Sequence, residues 1–140
     1  MAIYDDLISA ARECPDATAL ECAGEAISFA RLHDQARSVA AGLQGRPLRR
    51  GAAVGIMLPN VPQFLSITYG TFFSGHIVTP MSVLLTPREV RHVISDSSLD
   101  LLFVSVSLLS TVEQAVAGLE RAPEIVVVGA YSGPHTGFQD

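Results

Sequence analysis

The stretch from Gly51 to Pro87, GAAVGIMLPNVPQFLSITYGTFFSGHIVTPMSVLLTP, runs for 37 residues without an Asp, Glu, Lys or Arg. A run of that length without charge belongs either in a bilayer or in a protein interior. A spanning helix needs about 20 continuous apolar residues, and here Pro59, Asn60, Pro62, Gln63, Gly70, Ser74, Gly75, His76 and Pro80 interrupt at short intervals. The interior reading follows, and the punctuation divides the stretch into three elements. Ala53 to Leu58 reads as a strand ended by Pro59-Asn60. About Val61 to Ser74 reads as a helix, with Asn60 placed to cap it and Pro62 near its first turn, where a missing N–H costs little. His76 to Pro80 reads as a second strand after Gly75. Because that helix is apolar or aromatic on nearly every side, it is expected to be covered all round.

Outward from this stretch, the same alternation continues. Thr86-Pro87-Arg88-Glu89 is a helix start in which Thr86 caps and Glu89 at N3 completes a capping box. Val90, Val93 and Ile94 form the buried stripe of that helix. Leu101 to Val104 is a short buried strand, Leu108 to Leu119 is helical in period, and Ile125 to Val128 is a further β-branched strand. Upstream, Ile3, Leu7, Ile8 and Ala11 recur at helical spacing until Pro15. Ala17–Cys22 and Glu25–Ser28 make a hairpin about Ala23-Gly24. From the cap Ser28, the residues Phe29, Leu32, Ala36, Val39, Ala40 and Leu43 line one face of a helix closed by Gly45. Strands alternating with helices imply an α/β fold with a largely parallel sheet, preceded by a helix and a β-hairpin. Residues 1–128 are expected to form that unit, and 129–140, with Gly129, Gly133, Pro134 and Gly137, a loose tail.

Composition narrows the function classes. The 140 residues are 49% hydrophobic and 16% charged, enough apolar material for a core and too much for disorder. Nine basic residues, all Arg, against 14 acidic ones give a net charge of −5, which argues against a nucleic-acid partner. The absence of Lys removes Schiff-base chemistry and a Walker-type phosphate loop. Cys14 and Cys22 lack a C-x-x-C spacing and read as two reduced thiols. With no basic, apolar leader and no transmembrane segment, the expected location is the cytoplasm.

The residues read alone assemble no reaction centre. Gly51-x-x-x-Gly55 lies before and within a strand and lacks both the third Gly and the Lys of a nucleotide loop. His33, His76, His92 and His135 are scattered without metal-ligand spacing, so no metal site is expected. His33 and His92 read as solvated helix residues. His76 is the single substrate-pocket candidate, since it sits in the uncharged stretch at a helix-to-strand junction. Its bland alternative is a core histidine satisfied by a backbone carbonyl. Ser66, Ser74, Ser82 and Ser105 have no nucleophile-elbow context. No catalytic, cofactor-binding or metal residue is assigned.

Three segments nevertheless resemble one family. They are Val54-Gly-Ile-Met-Leu-Pro-Asn-Val-Pro-Gln-Phe64, Gly75-His-Ile-Val-Thr-Pro-Met-Ser-Val-Leu-Leu-Thr-Pro-Arg-Glu-Val90 and Ile94-Ser-Asp-Ser-Ser-Leu-Asp-Leu-Leu-Phe103. Together with Pro15-Asp-Ala-Thr-Ala-Leu20 and Ile27-Ser-Phe-Ala-Arg-Leu32, they are similar to the N-terminal part of adenylate-forming acyl-CoA synthetases, and within those to fatty-acyl-CoA ligases. The resemblance covers about residues 4 to 128, and order and spacing carry it more than any one motif. It implies activation of a carboxylic acid with ATP and Mg²⁺ to an acyl-adenylate, followed by transfer to the thiol of CoA.

The family's phosphate loop, nucleotide motifs and catalytic Lys have no counterpart here, so the chain alone is expected to need no cofactor and to be inactive. Two departures stand out: His76 where the family commonly has a small residue, and Ser82 where it often has Asn. The expectation is an N-terminal fragment of a fatty-acyl-CoA ligase. The alternative is a stand-alone binding or assembly module that meets itself, a fatty acid or the missing C-terminal part through an exposed apolar face. A small enzyme with a diffuse site is the third reading.

Overall fold

The computed structural model describes residues 2–139. These divide into two compact units interleaved in sequence: residues 2–48 with Asn60–Gly75, and Arg49–Pro59 with residues 76–139.

The first unit is a helical layer with a hairpin. It contains α1 (Asp5–Glu13), the antiparallel pair β1 (Thr18–Cys22) and β2 (Glu25–Ser28), α2 (Phe29–Gln44) and α3 (Pro62–Phe73). Ala23 and Gly24 both take positive φ, 50° and 82°, which the tight two-residue turn between the strands requires. Ser28 caps α2 by accepting the Arg31 N–H at 3.3 Å. Leu7, Ile27 and Leu32 form the buried centre, with Leu20, Phe29, Leu65, Tyr69 and Phe73 packed on it. Each such side chain, fully buried, contributes about 1.5–3 kcal/mol.

α2 and α3 meet at Gly70, where a Cβ would lie only 2.5 Å from the Val39 Cβ and 2.7 Å from the Ala36 carbonyl oxygen. α3 has no exposed residue, as its lack of charge predicted. Its hydroxyls are accommodated by bonding back to their own helix: Thr68 donates to the Phe64 carbonyl and buried Thr71 to that of Ile67. The expected cap by Asn60 is not made. Pro62 occupies N1, so the cap position falls on Val61, which makes no side-chain capping bond.

The second unit is a five-stranded parallel sheet in the order β4-β3-β5-β6-β7, built from β3 (Ala53–Met57), β4 (Ile77–Pro80), β5 (Leu101–Ser105), β6 (Glu124–Val128) and β7 (Thr136–Gly137). Both faces of its central strands are buried, and for that reason these strands read as continuous apolar runs. One face supplies Ala53, Met57, Leu102, Val104, Ile125 and Val127 to a core completed by α4 (Pro87–Asp96) and α5 (Leu109–Val116).

The capping box of α4 forms as expected: Thr86 Oγ1 accepts the Glu89 N–H, and the Glu89 carboxylate accepts the Thr86 N–H at 2.8 Å. The helix expected over 108–119 is shorter. A 3-10 turn (Val106–Leu108) precedes it, and Gly118, at φ +72°, ends it. Arg91 then donates to the freed carbonyls of Ala115 and Ala117. The tail expected to be loose contributes β7, because the Phe138 N–H finds the Val127 carbonyl at 2.7 Å and its ring packs edge-on to Phe103.

Candidate functional site

All strands of the sheet run the same way, so its two edges differ. In open parallel sheets ligands bind outside the carboxyl ends, at the point where the strand order reverses. The chain steps from β3 outward to β4, then returns across β3 to β5, which places the reversal between β3 and β5. Leu58-Pro59 follow β3 there, and Ser105 ends β5 with Val106 and Ser107 in the turn after it. The Ser105 and Ser107 hydroxyls lie 3.0 Å apart in a hydrogen bond at the surface. Ser82, after β4, accepts the Leu84 N–H at 3.2 Å and so is engaged in its own turn. Gly129, after β6, holds φ +117°, and a Cβ there would meet Val106 at 3.0 Å. Beside these serines, Leu84 is 86% and Val106 40% exposed.

His76 lies elsewhere. It precedes β4, and a helix-to-strand junction in a parallel sheet is by construction at the amino edge. That edge is opposite the carboxyl edge just described. The buried Nδ1 of His76 has no hydrogen-bond partner among the described residues. His92 is exposed, as read, whereas His33 is half-buried and sits edge-on to the Phe73 ring at 5.7 Å.

The amino edge holds a residue that the sequence reading passed over. The Asp100 side chain is 9% exposed. It accepts the Ala53 N–H at 3.0 Å and pairs with Arg49 at 3.1 Å and Arg121 at 2.5 Å. Its own N–H donates to the Ala53 carbonyl, and its carbonyl accepts the Glu124 N–H. Asp100 thus ties the starts of β3, β5 and β6. The available signal was an acid abutting the apolar run 101–104, where an unpaired carboxylate would be costly.

The starts of α3 and α4 do not offer a phosphate cradle. A phosphate cradle needs free N–H groups at a helix start after a strand. α3 begins with Pro62 at N1, after a four-residue connection that contains Pro59 and no glycine. The start of α4 is filled by its capping box, and Glu89 would repel a phosphate. The Thr86 N–H and then its hydroxyl, both donating to Glu89, hold that carboxyl below the usual carboxylate range. Among the described residues no three His, Cys, Asp or Glu side chains group as a metal would need. No helix there is long and apolar enough to cross a membrane.

Of the surface cavities, one of about 280 Å³ in the first unit is lined by Leu20, Cys22, Asn60, Pro62, Phe64 and Leu65. The Cys22 thiol there donates to the Asn60 carbonyl at 3.4 Å. A second, beside the start of α4, is lined by Leu85, Thr86, Glu89 and His92. His76 lines neither.

Comparison with known proteins gives these features a context. The family described as AMP-binding enzyme matches residues 7–136. The long-chain-fatty-acid–CoA ligase of Bacillus subtilis (strain 168) is 35% identical over 117 residues, which span 77% of this chain and 21% of that protein. The ligase of the same description from Yersinia pestis is 34% identical over 118 residues, 81% of this chain and 21% of that one. The chain spans about a fifth of the length of these curated relatives. Among solved structures, a putative long-chain-fatty-acid CoA ligase from Rhodopseudomonas palustris CGA009 shares the fold, with a TM-score of 0.89 at 20% identity over 98% of this chain and 35% of that one.

Proposed function

The chain belongs to the AMP-binding enzyme family and covers its N-terminal portion, and from that membership we propose that it is the scaffold portion of a fatty-acyl-CoA ligase, without adenylating activity of its own. The observation that carries this reading is the match of about four fifths of the chain to only about a fifth of each ligase. In the complete enzyme ATP, Mg²⁺ and CoA would supply the activating and accepting groups, and the cytoplasm is where we place it. No step of that chemistry is routed through the residues of this chain. Their part is to hold a rigid parallel sheet whose carboxyl edge presents Leu58-Pro59, Ser105–Ser107 and Gly129.

Calorimetric titration of the 140-residue chain with ATP and Mg²⁺ tests the proposal. It predicts no saturable heat at millimolar nucleotide, and a saturable site would contradict it.

A second reading is supported by exposed apolar side chains. Ile77 is 59% exposed on an edge strand, and Leu84 and Val106 stand on the carboxyl rim. Exposed apolar side chains on an edge strand favour association. On this reading the isolated chain self-associates.

A further inference from the structure

Self-association as just proposed names no surface, and the geometry points to one: the free edge of β4 pairs antiparallel with β4 of a second copy, centred on Val78. This inference rests on the self-association reading and deepens it.

The two edges of the sheet are treated differently. β7 lies along β6, whereas β4 ends the sheet on the other side. In a parallel ladder alternate residues turn both backbone groups to the same side. The Ile77 and Met81 N–H groups donate inward to the Ala52 and Ile56 carbonyls, each at 2.9 Å. Residues 76, 78 and 80 therefore face away from β3. They offer N–H groups from His76 and Val78, none from Pro80, and three carbonyls.

That set is complementary to itself. With Val78 opposite Val78 of the second copy, the two exchange both bonds. His76 then stands opposite Pro80 and donates to its carbonyl, twice by symmetry, so every outward donor is used and Pro80 is never asked for the N–H it lacks. The same register puts Ile77 across from Thr79 of the second copy, a β-branched pair on one face. Natural edges are blunted by charge, bulges, proline or shortness, and β4 has the last two, with four residues and Pro80 among them. Here the register of β4 with β3 is unbroken, and no charged residue occurs from Gly51 to Pro87, so two copies meet without repulsion. A contact this short makes a weak, concentration-dependent dimer.

Sedimentation velocity over a concentration series, with hydrogen exchange at the Val78 amide, tests the pairing on the whole chain. The expected result is a dimer, with Val78 protected at high concentration and open at low. Ile77→Lys, at an exposed site and with unchanged circular dichroism, should raise the dissociation constant roughly 10-fold, since symmetry counts each lost pair twice. A dimer indifferent to Ile77→Lys, with Val78 open throughout, would overturn the β4 pairing while leaving self-association intact. A monomer at every concentration would overturn both. Protection of Val78 in the monomer would mean that the chain closes its own edge, and this too refutes the proposal.

Discussion

Gly70→Ala and Gly42→Ala make the same chemical change in two neighbouring helices, and the structure gives them opposite signs. In a helix interior Ala is favoured over Gly by about 1 kcal/mol. Gly42, in α2, is exposed, and a Cβ added there meets nothing within 4 Å. The propensity gain should appear in full, as about 1 kcal/mol of added stability. Gly70, in α3, is buried, and the new Cβ would fall 2.5 Å from the Val39 Cβ and 2.7 Å from the Ala36 carbonyl oxygen. Neither neighbour is the end of a flexible side chain, so α2 and α3 must separate. Overpacking of that kind costs about 3 kcal/mol, the upper end of its usual range. Subtracting the propensity gain leaves a net loss of about 2 kcal/mol, or ~7 °C in Tm for a chain of this size. Thermal unfolding followed by circular dichroism reads both variants, with urea midpoints at constant m as a check. If Gly70→Ala stabilises the chain as Gly42→Ala does, the close approach of the two helices is wrong.

Three further substitutions probe the sheet. Asp100→Ala strands the Ala53 N–H at a buried position and should cost about 2 kcal/mol in urea unfolding. Asp100→Asn, which still accepts that bond, should cost about half as much, and equal losses would show that the bond to Ala53 is not the main term. Arg49→Ala and Arg121→Ala, whose side chains are mostly exposed, should each cost under ~1 kcal/mol. The lowered Glu89 carboxyl fixes the sign of a pH effect. Its stabilisation is complete above its ordinary value of 4.5 and is lost as pH falls below that, through the lowered folded-state value. Glu89→Gln should therefore melt below the parent chain at about pH 6, with the gap closing as pH falls below 4.5 through the lowered folded-state value. A gap that persists in acid would mean that the carboxylate is not what the capping box uses.

How much of this was legible beforehand depended on how local each determinant is. The start of α4 was readable because Thr86, Pro87 and Glu89 specify it within four residues. The buried strands at 53–57, 101–105 and 124–128 were readable because burial on both faces leaves an uninterrupted apolar run. Asn60 was misassigned because Pro62 moved the cap to Val61, while the Asn60 carbonyl took up the Cys22 thiol from 38 residues away. Strand order, β7 and the role of Asp100 depend on pairings distant in sequence, which periodicity does not encode. The edge of the sheet that His76 occupies was likewise not legible. Its junction type was read correctly, but which edge of the sheet that junction occupies follows only from the parallel pairing of β4 with β3.

The central proposal is that this chain, which has the fold of the N-terminal part of the AMP-binding enzyme family, has no adenylating activity of its own. Fatty-acid-dependent exchange of labelled pyrophosphate into ATP, measured on the 140-residue chain against a boiled control, tests it most directly. The account predicts exchange indistinguishable from the control, and exchange that rises with added fatty acid would contradict it.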